Sequence, residues 1–357
     1  MVNASRPRTG ACAMTVILVV VLGCGQPTIS PPMSQGPSSS SASSPTVQAG
    51  RGPFLAGGWS WSPIPALPFK GQTLEGATGL TADCGDIFAS YTVCTSKDGV
   101  SWATPADSSV FVQESPGKFF VESVASGPAG YLMSDQFGQS AWRSHDGVHW
   151  SAFTPVTSSV YRWKFIGLRD RYLGNSGSSW YESVDGLKWT PVALPHSIEF
   201  IDGSADLGLI ASGEDAAGDH YWYSSDGRSW SAVVLPAPLN GFLVGEAKTP
   251  DGHVLAVATT VGSVGDGVLV ETANGTDWTV VATFPKRVPD QLAMSGRSVF
   301  VTAGDSSAPA AELWVSNDSG ATWTNIVSGS NHVQVRLAYM GFVVIEAGGQ
   351  TYVGKPT

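Results

Sequence analysis

Six short stretches constrain this chain more than any other feature. "SKDGVSW" (Ser96 to Trp102), "SHDGVHW" (Ser144 to Trp150), "SVDGLKW" (Ser183 to Trp189), "SSDGRSW" (Ser224 to Trp230), "TANGTDW" (Thr272 to Trp278) and "SNDSGATW" (Ser316 to Trp323) are one motif repeated. Its tryptophans fall 48, 39, 41, 48 and 45 residues apart. Self-similarity at such a period means that one supersecondary unit recurs and buries its apolar face against copies of itself.

Each copy has the chemistry of a hairpin turn. The Asp or Asn (Asp98, Asp146, Asp185, Asp226, Asn274, Asp318) can fold its side chain onto backbone N–H groups two residues on. The glycine supplies positive φ, and the Trp (Trp102, Trp150, Trp189, Trp230, Trp278, Trp323) opens the next strand facing inward. Cys94, Trp142, Tyr181, Trp222, Val270 or Trp314 precedes each acid by four, and Ser or Thr by two. That period of 2 is strand spacing. Within a period the reading is constant: inner strand, second strand, variable loop, third strand into the turn, then an outer strand led by Trp. In the third copy these are "VYRWKFIGL", "RYLGNS", "SWYES" and "KWTPVAL". Four strands in 39 to 48 residues is the length of a β-propeller blade.

The motif resembles the Asp-box, or bacterial neuraminidase repeat, of sialidase-like β-propellers. The last copy matches the family spacing S-x-D-x-G-x-T-W, whereas the first five are one residue shorter between acid and Trp. The resemblance implies an all-β propeller whose boxes lie on one end and whose ligand site lies on the other.

The two ends of the repeat set the blade count. After Trp323 three strands remain, "VQVRLAYM", "GFVVIEAG" and "TYVGK", without a motif. Before the first copy, "SWSPIPALP" from Ser60 matches the outer strand "KWTPVALP", and Trp61 precedes Trp102 by 41 residues, one more period. The expectation is seven blades, with the N-terminal strand completing the last one; six with ragged ends is the alternative. Residues 54–357 then form one domain. Closure of this kind leaves no open sheet edge in the ring.

Residues 1–23 read as a signal peptide: Arg6 and Arg8 give a positive start, and "MTVILVVVLG" is apolar but too short to span a bilayer. "VLGC", Val21 to Cys24, resembles a bacterial lipobox, which implies cleavage before Cys24 and lipid on its thiol. Each buried acyl CH₂ contributes about 0.8 kcal/mol, so such chains would hold the protein on a membrane. Residues 24–53 have almost no large apolar side chains and read as a flexible Ser/Pro-rich tether. The expected location is the extracytoplasmic side of a bacterial cell envelope, on the cell membrane or an outer membrane. Without residues 1–23 the charge is 17 − 29 = −12, which argues against a nucleic-acid partner. Cys84 and Cys94 remain in an oxidising compartment, and a structural disulfide between them is expected; redox chemistry would favour a closer pair.

His145 and His149 flank Asp146 and look catalytic in isolation. Aligned with the other copies, however, they occupy slots that vary freely on the exposed side of a turn. A metal site needs three converging ligands, and no third is suggested, so neither metal nor cofactor is expected. The resemblance to sialidases implies three arginines, a Tyr-Glu pair and an acid-base Asp on the end opposite the boxes. The Arg-Ile-Pro motif ahead of the first box is missing here, and only Arg162 and Arg336 fall in inner strands. Loops between second and third strands carry Asp135, Glu214, Asp215, Asp219, His220, Asp266 and Asp305. With Arg162 and Arg336 these are the ligand-binding candidates; exposed loop acids also serve solubility. Trp142, Trp180, Trp222 and Trp314 are expected in the core between blades.

The functional expectation is therefore a membrane-anchored, noncatalytic binding or scaffolding propeller for a glycan or protein ligand. The alternative is a glycoside hydrolase with divergent catalytic residues. An assembly role like that of the propellers that help build photosystem II calls for a basic functional patch, and this chain is acidic.

Overall fold

The computed structural model describes residues 52–67, 69–76, 79–86, 90–96, 98–103, 121–135, 141–155, 163–177, 179–194, 198, 200–204, 208–215, 218–236, 239–260, 266–304, 312–329, 332–339 and 341–357. The predicted signal peptide and Cys24 lie outside these residues. Among them the structure is all-β, and no helix is long and apolar enough to cross a membrane.

The strands form seven antiparallel sheets among the described residues. Strands β1 (Phe54–Ala56) and β2 (Trp59–Ile64) come first in the chain. The first sheet follows, with β3 (Phe69–Gly76), β4 (Gly79–Asp86) and β5 (Ser90–Ser96). The second holds β6 (Val121–Gly127), β7 (Gly130–Asp135), β8 (Ala141–Ser144) and β9 (Trp150–Phe153). The third holds β10 (Trp163–Gly167), β11 (Tyr172–Ser176), β12 (Ser179–Ser183) and β13 (Thr190–Val192). The fourth holds β14 (Phe200–Ser204), β15 (Gly208–Asp215), β16 (Gly218–Ser224) and β17 (Ser231–Ala232). The fifth holds β18 (Leu239–Lys248), β19 (Val254–Thr260), β20 (Gly267–Thr272) and β21 (Thr279–Phe284). The sixth holds β22 (Val288–Ser295), β23 (Ser298–Gly304), β24 (Glu312–Ser316) and β25 (Thr324–Val327). The seventh takes both ends of the domain, in the order β1-β2-β28-β27-β26, from β26 (Val333–Tyr339), β27 (Phe342–Ala347) and β28 (Gln350–Pro356).

The expected insertion of an N-terminal strand into the last sheet is thus present: Trp59 pairs with Pro356, Trp61 with Gly354 and Ile64 with Thr351. Trp61 is fully buried, and a Cβ on Gly354 would sit 2.6 Å from its ring, so the absence of a side chain there makes room for the indole. One element was not anticipated. "FLAGGW" forms a tight hairpin in which Gly57 and Gly58 both take positive φ, 59° and 75°, which adds β1 as a fifth strand.

The core lies between the sheets. The second strands β19, β23 and β27 are buried over almost their whole length, as expected for strands covered on both faces, while the outer strands β13 and β17 are largely exposed. Ile166, Leu173 and Trp180 of the third sheet pack with Ile201, Leu209 and Trp222 of the fourth. Ile210 and Tyr221 pack with Val254, Val268 and Trp278 of the fifth. Leu255 and Leu269 meet Val299 and Val301 of the sixth, and Phe300 and Leu313 meet Trp59, Trp61 and Ile345 of the seventh. Leu337, Val344 and Val353 of the seventh pack in turn against Val100 and Trp102, which follow β5 of the first. Trp142, Trp180 and Trp222 are buried, as expected, and Trp314 is partly so.

The six repeated turns share one geometry. In the first, the Ser96 hydroxyl accepts the Gly99 amide at 2.8 Å, and Asp98 Oδ1 accepts those of Val100 and Ser101 at 2.9 and 2.7 Å. The indole N–H of Trp102 donates to the Gly99 carbonyl at 3.0 Å, and Trp150, Trp189, Trp278 and Trp323 repeat that bond in their own turns. Trp230 departs from the pattern, its indole nitrogen buried without a hydrogen-bond partner. The glycines of all six turns have positive φ. In the sixth, the extra residue is absorbed by Ser319, which takes a left-handed φ of 58° ahead of Gly320, and Asp318 Oδ1 still caps the Thr322 amide at 2.8 Å. The one-residue difference in spacing therefore changes a turn without moving its Trp out of register.

The slots read as freely varied have chemical uses. The residue before the Trp often meets the second oxygen of its own turn's acid: Ser101 Oγ lies 2.9 Å from Asp98 Oδ2, His149 Nδ1 2.7 Å from Asp146 Oδ2 and Thr322 Oγ1 2.6 Å from Asp318 Oδ2. His149 thus answers to its own turn, with its side chain 74% exposed.

Candidate functional site

Alternation of strands brings two kinds of connection to the end that carries the repeated turns: the turns themselves and the links from first to second strands. At this end the third, fourth and fifth sheets enclose a cleft of about 370 Å³. Leu168, Arg169, Asp170 and Arg171, which join β10 to β11, form one wall; Ser225, Asp226 and Arg228 of the fourth repeated turn form another. Lys248, at the end of β18, closes a third side, and Tyr223 of β16 reaches the floor.

Arg171 organises this cleft. Its side chain is 1% exposed, a placement a guanidinium tolerates only when its charge and donors are matched. Nη1 donates to Asp170 Oδ1 at 2.8 Å, and Nη2 donates to the backbone carbonyl of Asp226 in the neighbouring sheet. Nε lies 3.1 Å from Glu182 Oε2, an ion-pair contact without the alignment of a hydrogen bond. Arg228 shares the same two carboxylates more loosely, 3.3 Å from Asp170 Oδ2 and 4.0 Å from Glu182 Oε2, with its side chain 56% exposed. The result is a fixed buried cation and a movable exposed one over a common acid pair.

The acids of the turns are tuned by the same backbone. Amide donation from Ser101 and Val100 holds the Asp98 carboxyl down to about 2, and His149 does the same for Asp146, which lies lower still. Amide bonds from Ser229 and Arg228 lower Asp226, which also feels the Arg171 charge. Burial alone would raise Asp318, but bonds from Thr322 and Ser316 outweigh it. These carboxylates are ionised caps committed to their turns, unsuited to general acid catalysis near neutral pH.

None of the residues expected from sequence to bind a ligand lines this cleft among the described residues. Arg162 and Asp305 lie outside the described residues, and Asp135 ends β7 opposite Val121. Glu214 and Asp219 oppose each other across the β15–β16 hairpin, with Asp215 opposite Gly218. His220 is half-buried with its ring 5.9 Å from that of Trp222. Asp266 accepts the Lys286 amide at 2.7 Å. Arg336, at a bulge in β26, is held by Glu346 at 2.7 and 3.1 Å. Among the described residues no group of His, Cys, Asp and Glu side chains could hold a metal ion. The cleft residues escaped the sequence reading. Arg171 opens a second strand in a variable turn, and nothing local marks Glu182 and Asp226 as its partners; the only signal is an uninterrupted "LRDR" at 168–171 in a chain with few arginines.

No family model matches the sequence, and no curated protein matches it. Solved structures do match in fold. YCF48 bound to D1 peptide aligns with a TM-score of 0.57 at 14% identity, over 86% of this chain and 97% of that one. Virginiamycin B lyase of Staphylococcus aureus, a catalytically inactive variant with quinupristin, aligns at 0.55 and 10%, over 83% and 99%. The extracellular domain of the putative one-component system BT4673 of B. thetaiotaomicron aligns at 0.52 and 12%, over 82% of this chain and 39% of that one. At these identities the likeness concerns architecture: the chain is propeller-like, and its neighbours include binding proteins and a lyase.

Proposed function

We propose that this protein is a cell-envelope lipoprotein whose Asp-box propeller binds a protein ligand without catalysis. Residues 1–23 are its signal peptide, Cys24 carries lipid, residues 24–53 are the tether and residues 54–357 the propeller. Seven blades form the ring. What supports that count is the sevenfold set of sheets, the packing of successive sheets and the contact of the seventh with Val100 and Trp102 beside the first. A disulfide joins Cys84 and Cys94; in its favour, β4 and β5 pair Cys84 with Thr92 and Ala82 with Cys94, which places the two cysteines diagonally on one face.

The observation that carries the binding role is the cleft with a buried, ion-paired Arg171 at its edge. Arg171 itself is buried, but it fixes the acid pair over which the exposed Arg228 guanidinium reaches solvent, and a cation so placed suits recognition at low ordering cost. The peptide complex of the YCF48 neighbour adds weight to a protein ligand. Catalysis finds less support, because the acids placed at the cleft are already bonded within turns and ion pairs.

The deciding experiment recovers the full-length lipidated protein from its native envelope and identifies what copurifies. One partner that rebinds the purified protein saturably is expected, and Cys24→Ala should release the protein from the membrane fraction. Turnover of fluorogenic glycosides, lost on Asp215→Asn or Asp219→Asn, would overturn the noncatalytic reading.

A further inference from the structure

We infer that the cleft between the third, fourth and fifth sheets receives an acidic peptide segment, with Arg228 as the exchanging arm and Arg171 as its positioning residue. The inference rests on the protein-ligand reading and specifies its chemistry.

Four cationic side chains border the cleft: Arg169, Arg171, Arg228 and Lys248. Among the described residues Asp170 and Asp226 lie on the rim, and Glu182 lies behind Arg171. Asp226 is already committed, since its Oδ1 accepts the amides of Arg228 and Ser229, both at 2.8 Å, and the Ser224 hydroxyl at 3.0 Å. Asp170 and Glu182 are left to serve two guanidiniums, and Arg171 holds both at the closer distances. Arg228 is therefore the under-served cation. A contact at 3.3 Å and another at 4.0 Å on a half-exposed side chain are weak, as solvent-screened pairs are, so an incoming carboxylate in bidentate contact can replace them. Arg171 cannot move in the same way without leaving a buried charge unmatched.

The cleft's shape selects a chain over a small ion. It is lined from three sheets, and its lining includes Leu168 and Tyr223 as well as the charges. A segment with carboxylates on either side of an apolar residue satisfies both. Against a net charge of −12 for the chain after its signal, this concentration of cations gives an acidic ligand a local place to dock.

The test uses a fluorescein-labelled peptide in which Glu alternates with Leu and Ser, its Gln counterpart, and fluorescence anisotropy with the purified protein. Saturable binding of the Glu peptide is expected, weakened at least about tenfold in the Gln peptide and in the Arg228→Gln/Lys248→Gln double variant. Arg143→Gln, at the second repeated turn, should bind as the parent does. Melting curves of every variant should coincide with the parent's, and Lys248→Gln alone provides a second variant. Equal binding of Glu and Gln peptides, or equal loss in Arg143→Gln, would overturn the inference. So would an envelope partner captured undiminished by the double variant, which leaves the protein-ligand reading standing. Saturable Glu-peptide binding with no envelope partner would do the reverse.

Discussion

The indole of Trp59 donates to the side chain of Asn317 at 3.1 Å, across 258 residues of chain. Asn317 in turn donates to the Gly57 carbonyl at 2.8 Å and accepts from Ser298 Oγ at 2.7 Å. A slot that varies among the six turns is used in the sixth to clamp the N-terminal hairpin. Asn317→Ala removes three bonds and strands the Trp59 N–H. A loss of about 1–3 kcal/mol is expected, together with faster proteolysis near Gly57, and equal proteolysis rates would show the clamp to be idle.

Trp150 is 4% exposed and its N–H is bonded within its own turn. Trp150→Ala should cost about 3–5 kcal/mol in denaturant unfolding, whereas the double variant His145→Ser, His149→Ser should cost under about 1 kcal/mol. A comparable loss in both would mean that the histidines hold the turn.

Arg171→Met leaves Asp170 and Glu182 facing an apolar side chain and the Asp226 carbonyl without its donor. Removing one partner of a buried pair typically costs about 3–5 kcal/mol. Arg228→Met, at the exposed end of the same network, should cost under about 1 kcal/mol. Equal destabilisation would refute the division of labour between the two arginines.

The turn carboxyls predict a pH dependence. Because Asp98, Asp146, Asp185, Asp226 and Asp318 all have folded pKa values below their usual range, the stability they contribute is present above about pH 4. It is lost as the pH falls through the folded values, for Asp98 near 2. Thermal melts should therefore decline between about pH 4 and 2, and Asp98→Asn should flatten that decline. Asn274 occupies the same place in the fifth turn without a titrating proton, so Asn274→Asp should steepen it.

What the sequence disclosed follows from what is local. The turns, the period-2 strands and the partner of Trp61 each leave a short pattern, and each appears in the structure. The hairpin at Gly57–Gly58 was legible too, as paired glycines between apolar residues, yet its strand is only three residues long and falls outside the repeat. The cleft was not legible. Asp170, Glu182 and Asp226 come from three different turns or strands, and only the packing of the third sheet on the fourth brings them around Arg171. Trp230 shows the same limit: its motif is intact in sequence, but its N–H forgoes the bond that five others make.

The pairing of β2 with β28 also sets a timetable. Trp59 and Trp61 are among the first residues of the domain to be synthesised, and their partners Pro356 and Gly354 come almost at its end. During synthesis these two aromatic side chains must wait, with an unpaired strand edge beside them, until almost three hundred further residues have arrived. The step that completes the seventh sheet is therefore the domain's most non-local one, and the interval before it is when the chain is most open to capture by chaperones or by its own neighbours.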